Sequence, residues 1–355
     1  MPAMMNALVK TARGEENLSY QKYPLPQAGP GDIVVKIHAC GICSSDLHID
    51  NFLIRPPFVL GHEFSGTVAE VGAGVTDFKI GDPVVSITAV ETCEQCEWCR
   101  QGLRMHCDSR RNIGTGRDGG FAEYMVIPAK QAFLIPEGVS LDAAALCEPL
   151  ACVVRGVVER TRVRVGDYVL VAGCGVMGQL TAMVAKLSGA VVFMTGLRSD
   201  ADRLNMARNL GVSATFCSDE EDVEAEIGRL TGGMGVDCAF ECTGVAAGAD
   251  LCVRALRKTG AFTQIALYNK QIPFDWDLAM KKELELTTSI ASERSSWLIT
   301  LRLLQHKLID PQPLVGEPLK LSEWKEGWRR LLSKEDFKIL LYPTHDRTPS
   351  QQKPL

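Results

Sequence analysis

The sequence predicts an α/β protein in two parts: an antiparallel, barrel-like domain, then a doubly wound parallel sheet with helices on both faces. Three observations carry that prediction. Residues 1–150 alternate short β-type runs with glycine and proline punctuation. From Gly166 onward strands and helices alternate. Between the first of those strands and the first of those helices stands Gly173-Cys174-Gly175-Val176-Met177-Gly178.

In the first part Ile33–Ile37, Gly66–Val71 and Pro83–Ile87 read as strands, with turns at Gly29-Pro30-Gly31 and Gly81-Asp82-Pro83. Leu141–Glu159 is Ala- and Val-rich and helical in period, apart from Pro149. The alternation then predicts strand Tyr168–Ala172, helix Gly178–Ser188, strand Val191–Thr195 and helix Asp200–Leu210. Strand Val236–Phe240, a helix around Ala249–Leu256 and strand Ala261–Leu267 follow. Helices at 295–308 and 322–333 and strand Phe337–Leu341 are expected to return to the first domain. The expected division is therefore 1–150 with 290–343, and 151–289. The polar, proline-containing residues 344–355 are expected to be a disordered tail.

Composition narrows the function. The 355 residues suffice for two cores. A net charge of −5, with no Lys/Arg run, supplies no face for nucleic acid. No apolar stretch approaches the roughly 20 residues of a membrane helix, and Met1–Asn6 lacks a signal pattern, so the chain reads as cytoplasmic. Thirteen cysteines, four of them in one tight cluster, suit a metal better than disulfides.

That cluster is Cys93-x2-Cys96-x2-Cys99-x7-Cys107. Four thiolates close tetrahedrally around Zn²⁺ and leave no position for a substrate, so the site is structural by its chemistry. A second set is dispersed: Cys43 in Gly-Ile-Cys-Ser-Ser-Asp, His62-Glu63 after Gly61, and Glu148 before Pro149. A lone His beside Glu is more often a hydrogen-bonded structural pair. One thiolate, one imidazole and one carboxylate together, however, leave a zinc with an open fourth position, the catalytic arrangement. In the glycine loop Gly173 makes the turn, Gly175 admits a pyrophosphate, and Gly178 lets helix pack on strand; the helix N-terminus then faces the phosphates. Val176, Met177, Thr243, Ala266 and Leu267 are expected to line the same cofactor.

In this order, Gly-Ile-Cys-x-Ser-Asp-x-His, Gly-His-Glu, the four-Cys lobe, Glu-Pro and the glycine loop, the chain resembles the zinc-containing medium-chain dehydrogenases from Asn6 to Pro343. It looks most similar to their polyol branch, the sorbitol, arabitol-phosphate and threonine dehydrogenases. The resemblance implies a GroES-like β-barrel catalytic domain and a Rossmann cofactor domain. It implies catalytic zinc on Cys43, His62 and Glu63 or Glu148, the two carboxylates exchanging, and a second, structural zinc. It implies a proton relay from Ser45, two residues past Cys43, to His48, against which stand a helix-capping hydroxyl and an exposed helical histidine. Members are commonly dimers or tetramers, paired through the cofactor-domain sheet edge, here near Phe262–Phe274. The activity implied is oxidation of a secondary alcohol of a polyol or polyol phosphate, or reduction of the ketose, with hydride exchanged with NAD(P). L-threonine or a simple alcohol as substrate, or a non-catalytic member, are the alternatives.

Two departures stand out. Sorbitol dehydrogenases usually carry a Phe-Arg or similar pair where this chain has Ile290-Ala291, and Arg294 is the candidate replacement. At Gly196, NAD-dependent relatives carry the acid that binds the ribose 2′-OH. Here Leu197-Arg198-Ser199 follow, a cation and a hydroxyl suited to a 2′-phosphate, and Arg203 matches a residue lining the adenosine pocket. NADP is therefore favoured over NAD. Asp200 and Asp202 would reach the ribose under a different loop conformation.

Overall fold

The computed structural model describes residues 3–52 and 55–343. The expected tail at 344–355 lies outside the described residues. The chain divides after Leu146 and again after Pro311 into two compact units, the flanking segments forming one and the middle segment the other. Among the described residues no helix is long and apolar enough to cross a membrane.

In the first unit Asp32–Gly41 is the central strand. It pairs antiparallel with Glu63–Val71, with Tyr124–Pro128 and, at its end, with Leu340–Tyr342. Pro83–Ser86, Ala132–Leu134 and Leu319–Lys320 extend the sheet, and Met4–Lys10, Leu18–Pro24 and Phe58–Val59 form a smaller one. Alternate residues of the central strands, such as Ile33, Val35, Ile37 and Val68, enter a core with Leu8, Phe64 and Phe121. That period of two is the hydrophobic alternation of the sequence made physical.

The second unit is a six-stranded parallel sheet. Its order runs Ala214–Cys217, Val191–Gly196, Tyr168–Ala172, Val236–Glu241, Leu256–Gln264, Glu285–Thr288. Numbered along the chain, this is 3-2-1-4-5-6, the doubly wound order in which ligands bind beyond the carboxyl ends of the strands. The segment expected as strand Ala261–Leu267 starts earlier, and the helix before it spans Ala246–Ala255.

Three expectations are corrected. The helical stretch 141–159 is broken into Leu141–Ala144 and Cys147–Val154, with a wider helical turn, bonded i to i+5, over Arg155–Thr161. Pro149 has no N–H, and its ring would collide with the carbonyl four residues back, so it sits in the first turn of a new helix. Residues 290–311 belong to the second unit rather than the first. Helix Arg294–Gln305 buries the stripe Trp297, Leu301, Leu304, and Ser296 Oγ lies 3.0 Å from Glu159 Oε2. Finally, the outer strand of the sheet is Glu285–Thr288, one strand beyond Phe262, whose buried ring packs edge-on against Phe274 at 5.8 Å.

Candidate metal and cofactor sites

Strand pairing assembles the first site. Gly41 ends the central strand opposite Glu63, the first residue of its neighbour. Leu340 pairs with Gly41 from the other side, and Ile42 N–H donates to Ile339 O at 3.0 Å. Cys43 follows at once and caps the short helix Ser44–Leu47. Gly61 adopts φ +89, where a Cβ would approach Cys40 Sγ and Phe121 to 2.8 Å, so the Gly-His-Glu turn needs its glycine. As a result Cys43, His62 and Glu63 each present a ligand atom within 4.8 Å of the others.

Two charged side chains hold this group. Asp46 is buried; its Oδ2 accepts the Cys43 N–H at 2.9 Å and its Oδ1 stands 3.6 Å from His62 Nδ1. An outer carboxylate on one ring nitrogen leaves Nε2 for a metal. Burial opposes a charged His62, but the Asp46 carboxylate and the Cys43 sulfur outweigh it and raise the imidazole pKa well above its ordinary value. Lys338 Nζ donates to both Glu63 oxygens, at 2.8 and 2.6 Å, and to Ile42 O at 2.9 Å.

Ser45 is half-buried on the helix beside Cys43, and His48 is exposed at that helix's end. Glu148 lies in the second unit, on helix Cys147–Val154, where Cys152 Sγ donates to its Oε1 at 3.3 Å. The candidate ligand group among the described residues of the first unit is Cys43, His62 and Glu63.

The four-Cys lobe closes on itself. Cys93, Cys96, Cys99 and Cys107 lie within 4.8 Å of one another, with Sγ–Sγ distances of 3.5, 3.6 and 4.0 Å for three of the pairs. Thiolates bound tetrahedrally at about 2.3 Å from zinc stand about 3.8 Å apart, so the sulfurs fit that ion. Backbone N–H groups of Gln95 and Cys96 lower the Cys93 thiol to about 6. The lobe is braced by Glu94, whose carboxylate accepts from Arg104 at 2.6 and 2.9 Å and from Lys130 at 3.0 Å; Arg104 foremost pulls it down to about 2.

The glycine loop has the shape its chemistry requires. Gly173 adopts φ +101 and a Cβ there would meet Thr243 Cγ2 at 2.9 Å, while one on Gly178 would strike Gly173 O. Beside Gly175 the nearest side-chain atom among the described residues is Arg203 Nη1, at 3.8 Å from where a Cβ would be. Helix Val176–Leu187 begins there, and its first N–H groups suit an anion. Thr243 and Ala266 sit at neighbouring strand ends: Thr243 N–H donates to Glu241 Oε1 at 2.7 Å and Ala266 N–H to Glu241 O at 3.0 Å. Leu267 is exposed, with its carbonyl near Gly244.

The comparisons agree with this geometry. Residues 29–137 match the alcohol dehydrogenase GroES-like domain, and residues 176–306 match the zinc-binding dehydrogenase domain. A sorbitol dehydrogenase of Halalkalibacterium halodurans is 35% identical over 96% of this chain and 99% of its own. The chain belongs to the zinc-type medium-chain dehydrogenases. It falls in their polyol branch and is an oxidoreductase. A D-arabitol-phosphate dehydrogenase of Enterococcus avium is 31% identical over 96% of this chain and 98% of its own. A solved structure from Sinorhizobium meliloti, assigned as a zinc-binding dehydrogenase and bound to NADP, superposes with a TM-score of 0.89 at 31% identity, covering 96% of this chain and all of the other.

Within this dehydrogenase the region past the second strand bears on the cofactor. A Cβ on Gly196 would lie 2.7 Å from the buried Cys174 Sγ, so an acid there requires Cys174 to turn away. Asp200 is buried, with Oδ2 accepting the Leu197 N–H at 3.1 Å; Asp202 is exposed on the next helix. Arg198 is 79% exposed and its guanidinium rests on Glu220. Ser199 is exposed, and Arg203 approaches the glycine loop. Sequence reasoning missed Asp46, Lys338 and Glu220. Asp46 was signalled by its place in the cysteine motif, but nothing in the alternating stretch around Lys338 marks that residue.

Proposed function

We propose that the enzyme oxidises a secondary alcohol of a polyol or polyol phosphate, or reduces the ketose, preferring NADP(H) and using two zinc ions per chain. The observation that carries this reading is the group Cys43, His62 and Glu63, one thiolate, one imidazole and one carboxylate, a set that leaves one position for an alcohol oxygen. Zinc held by these three residues would supply Lewis acidity, and a dinucleotide held at the glycine loop would supply the hydride acceptor or donor. The chain's own residues do the rest. Asp46 orients His62, Ser45 Oγ takes the alcohol proton, and His48 passes it to solvent. The NADP reading is supported by Gly196 in place of an acid, by Asp200 turned into its own loop, and by exposed Arg198 and Ser199. We further read the protein as a cytoplasmic homodimer or homotetramer. Pairing would run along Glu285–Thr288, beside the exposed Trp276, Met280 and Leu286.

Initial rates over polyols, polyol phosphates, threonine and simple alcohols with both cofactors test the proposal. The expected outcome is turnover of a polyol-type substrate with kcat/KM about tenfold or more higher for NADP, the scale of a charge-assisted Arg–phosphate contact. Arg198→Ala should remove that preference. A strong NAD preference in the unmodified enzyme refutes the cofactor assignment, and turnover confined to threonine or simple alcohols refutes the substrate class. Separately, Ser45→Ala should lower turnover by roughly 10²-fold or more while cofactor affinity holds, as when a proton relay is cut. Near-normal turnover across pH would remove Ser45 from the mechanism.

A further inference from the structure

We propose that Lys338 is a positioning residue for the metal's carboxylate, keeping Glu63 a detachable ligand rather than a permanent one. This rests on reading Cys43, His62 and Glu63 as the metal ligands. Lys338 and Glu63 are 2% and 1% exposed, and the ammonium spends its three donors on the two Glu63 oxygens and Ile42 O. Its backbone is fixed on both sides: Gly316 N–H donates to Lys338 O at 2.8 Å, and the next residue, Ile339, holds Ile42. The anchor is therefore rigid, and the mobile partner is the Glu63 side chain. That side chain has a seat built for it, because Gly41 leaves open the space a Cβ would take from Glu63 Oε2.

Charge gives the anchor a purpose. Cys43, Asp46 and Glu63 bring three negative charges to a partly or wholly buried site. A zinc dication and the Lys338 ammonium together balance them. Without Lys338 the centre carries an excess negative charge, and a buried carboxylate that has lost its counter-ion turns to the metal. Lys338 would thus compete with a bound metal for Glu63 and weaken the carboxylate's hold on it.

Zinc release to a chelator and the absorption bands of the cobalt-substituted holoenzyme provide the test. Lys338→Met should slow release from the Cys43 site by roughly tenfold or more, the scale on which outer-shell partners tune metal affinity, and should shift the cobalt bands. Lys338→Arg should keep both near those of the unmodified protein. Lys338→Gln, which retains a donor for Ile42 O without the charge, should behave as Lys338→Met and serves if the latter does not fold. In a Glu63→Gln background, removing Lys338 should leave release and bands unchanged. Unaltered release and bands in Lys338→Met and Lys338→Gln would overturn the proposal, as would an Arg variant altered as much as the Met variant. If Glu63→Gln by itself changes neither readout, the ligand assignment fails instead.

Discussion

Cys43→Ser should leave a folded protein that holds one zinc per chain, one fewer than the two proposed for the unmodified enzyme, and that has lost its turnover. The thiolate is the one charged soft ligand of its group, and serine offers a far poorer donor to zinc. Loss of the metal removes several kcal/mol of charge stabilisation in the transition state, which at about 1.4 kcal/mol per decade is a fall of roughly 10³-fold or more. The fold should survive for a local reason. Cys43 occupies the N-cap of helix Ser44–Leu47, and serine is among the preferred residues at that position. Lys338 and Glu63 remain paired in the variant, so no buried charge is left alone. Elemental analysis, initial rates and thermal unfolding on one preparation decide the matter. Two zinc ions retained, or turnover within tenfold of normal, would show that the reaction does not depend on this centre.

How much of this was legible in the sequence follows from the range of each interaction. The glycine loop and the four-Cys lobe are local, each packed within about fifteen residues, so spacing alone reported their chemistry. The parallel sheet was legible because alternation of strand and helix leaves few topologies open. The dispersed ligands were readable one by one, yet their meeting depends on register: Glu63 faces Gly41 only because two strands pair without slipping a residue. Lys338 was out of reach for the same reason. It arrives 275 residues after Glu63, on a segment whose pattern reads as an ordinary strand, and its partner is set by the return of the chain to the first sheet. The boundary near 290 misled because an amphipathic helix shows that it buries a stripe without showing against what. Trp297, Leu301 and Leu304 found their cover in the second unit.

Cys107→Ser should remove the other zinc and lower thermal stability while sparing the chemistry at Cys43. Cys107 is the fully buried member of its group, its Sγ accepting the Cys93 N–H at 3.4 Å and lying 3.6 Å from Cys93 Sγ. Beyond the bracing of Glu94 by Arg104 and Lys130, the described residues of the lobe offer little else to hold it. Trp98 is exposed, and the helix Glu97–Arg100 is a single turn. A lobe this short, with no core of its own, takes its order from the metal, so metal binding is folding free energy there. If some 3–5 kcal/mol is lost, the midpoint should fall by on the order of 10 °C for a unit of this size. Acid should do reversibly what the mutation does permanently. The backbone N–H groups of Gln95 and Cys96 lower the Cys93 thiol from the ordinary 9.0 to about 6. A lowered pKa in the folded lobe means that the thiolate's contribution is full above 9.0, shrinks as the pH falls, and is gone below about 6. Its neighbour Cys96, against the lowering effect of the Cys99 N–H, is pushed the other way, to about 11, by burial and by its side-chain contacts with Cys99 and Cys93. Metal should therefore leave the lobe progressively as acid protonates the four sulfurs, Cys93 last. Zinc content and unfolding midpoint followed from pH 8 to pH 5 give the answer. A Cys107→Ser protein with two zinc ions and an unchanged midpoint would mean that the four sulfurs stand together for some reason other than a metal.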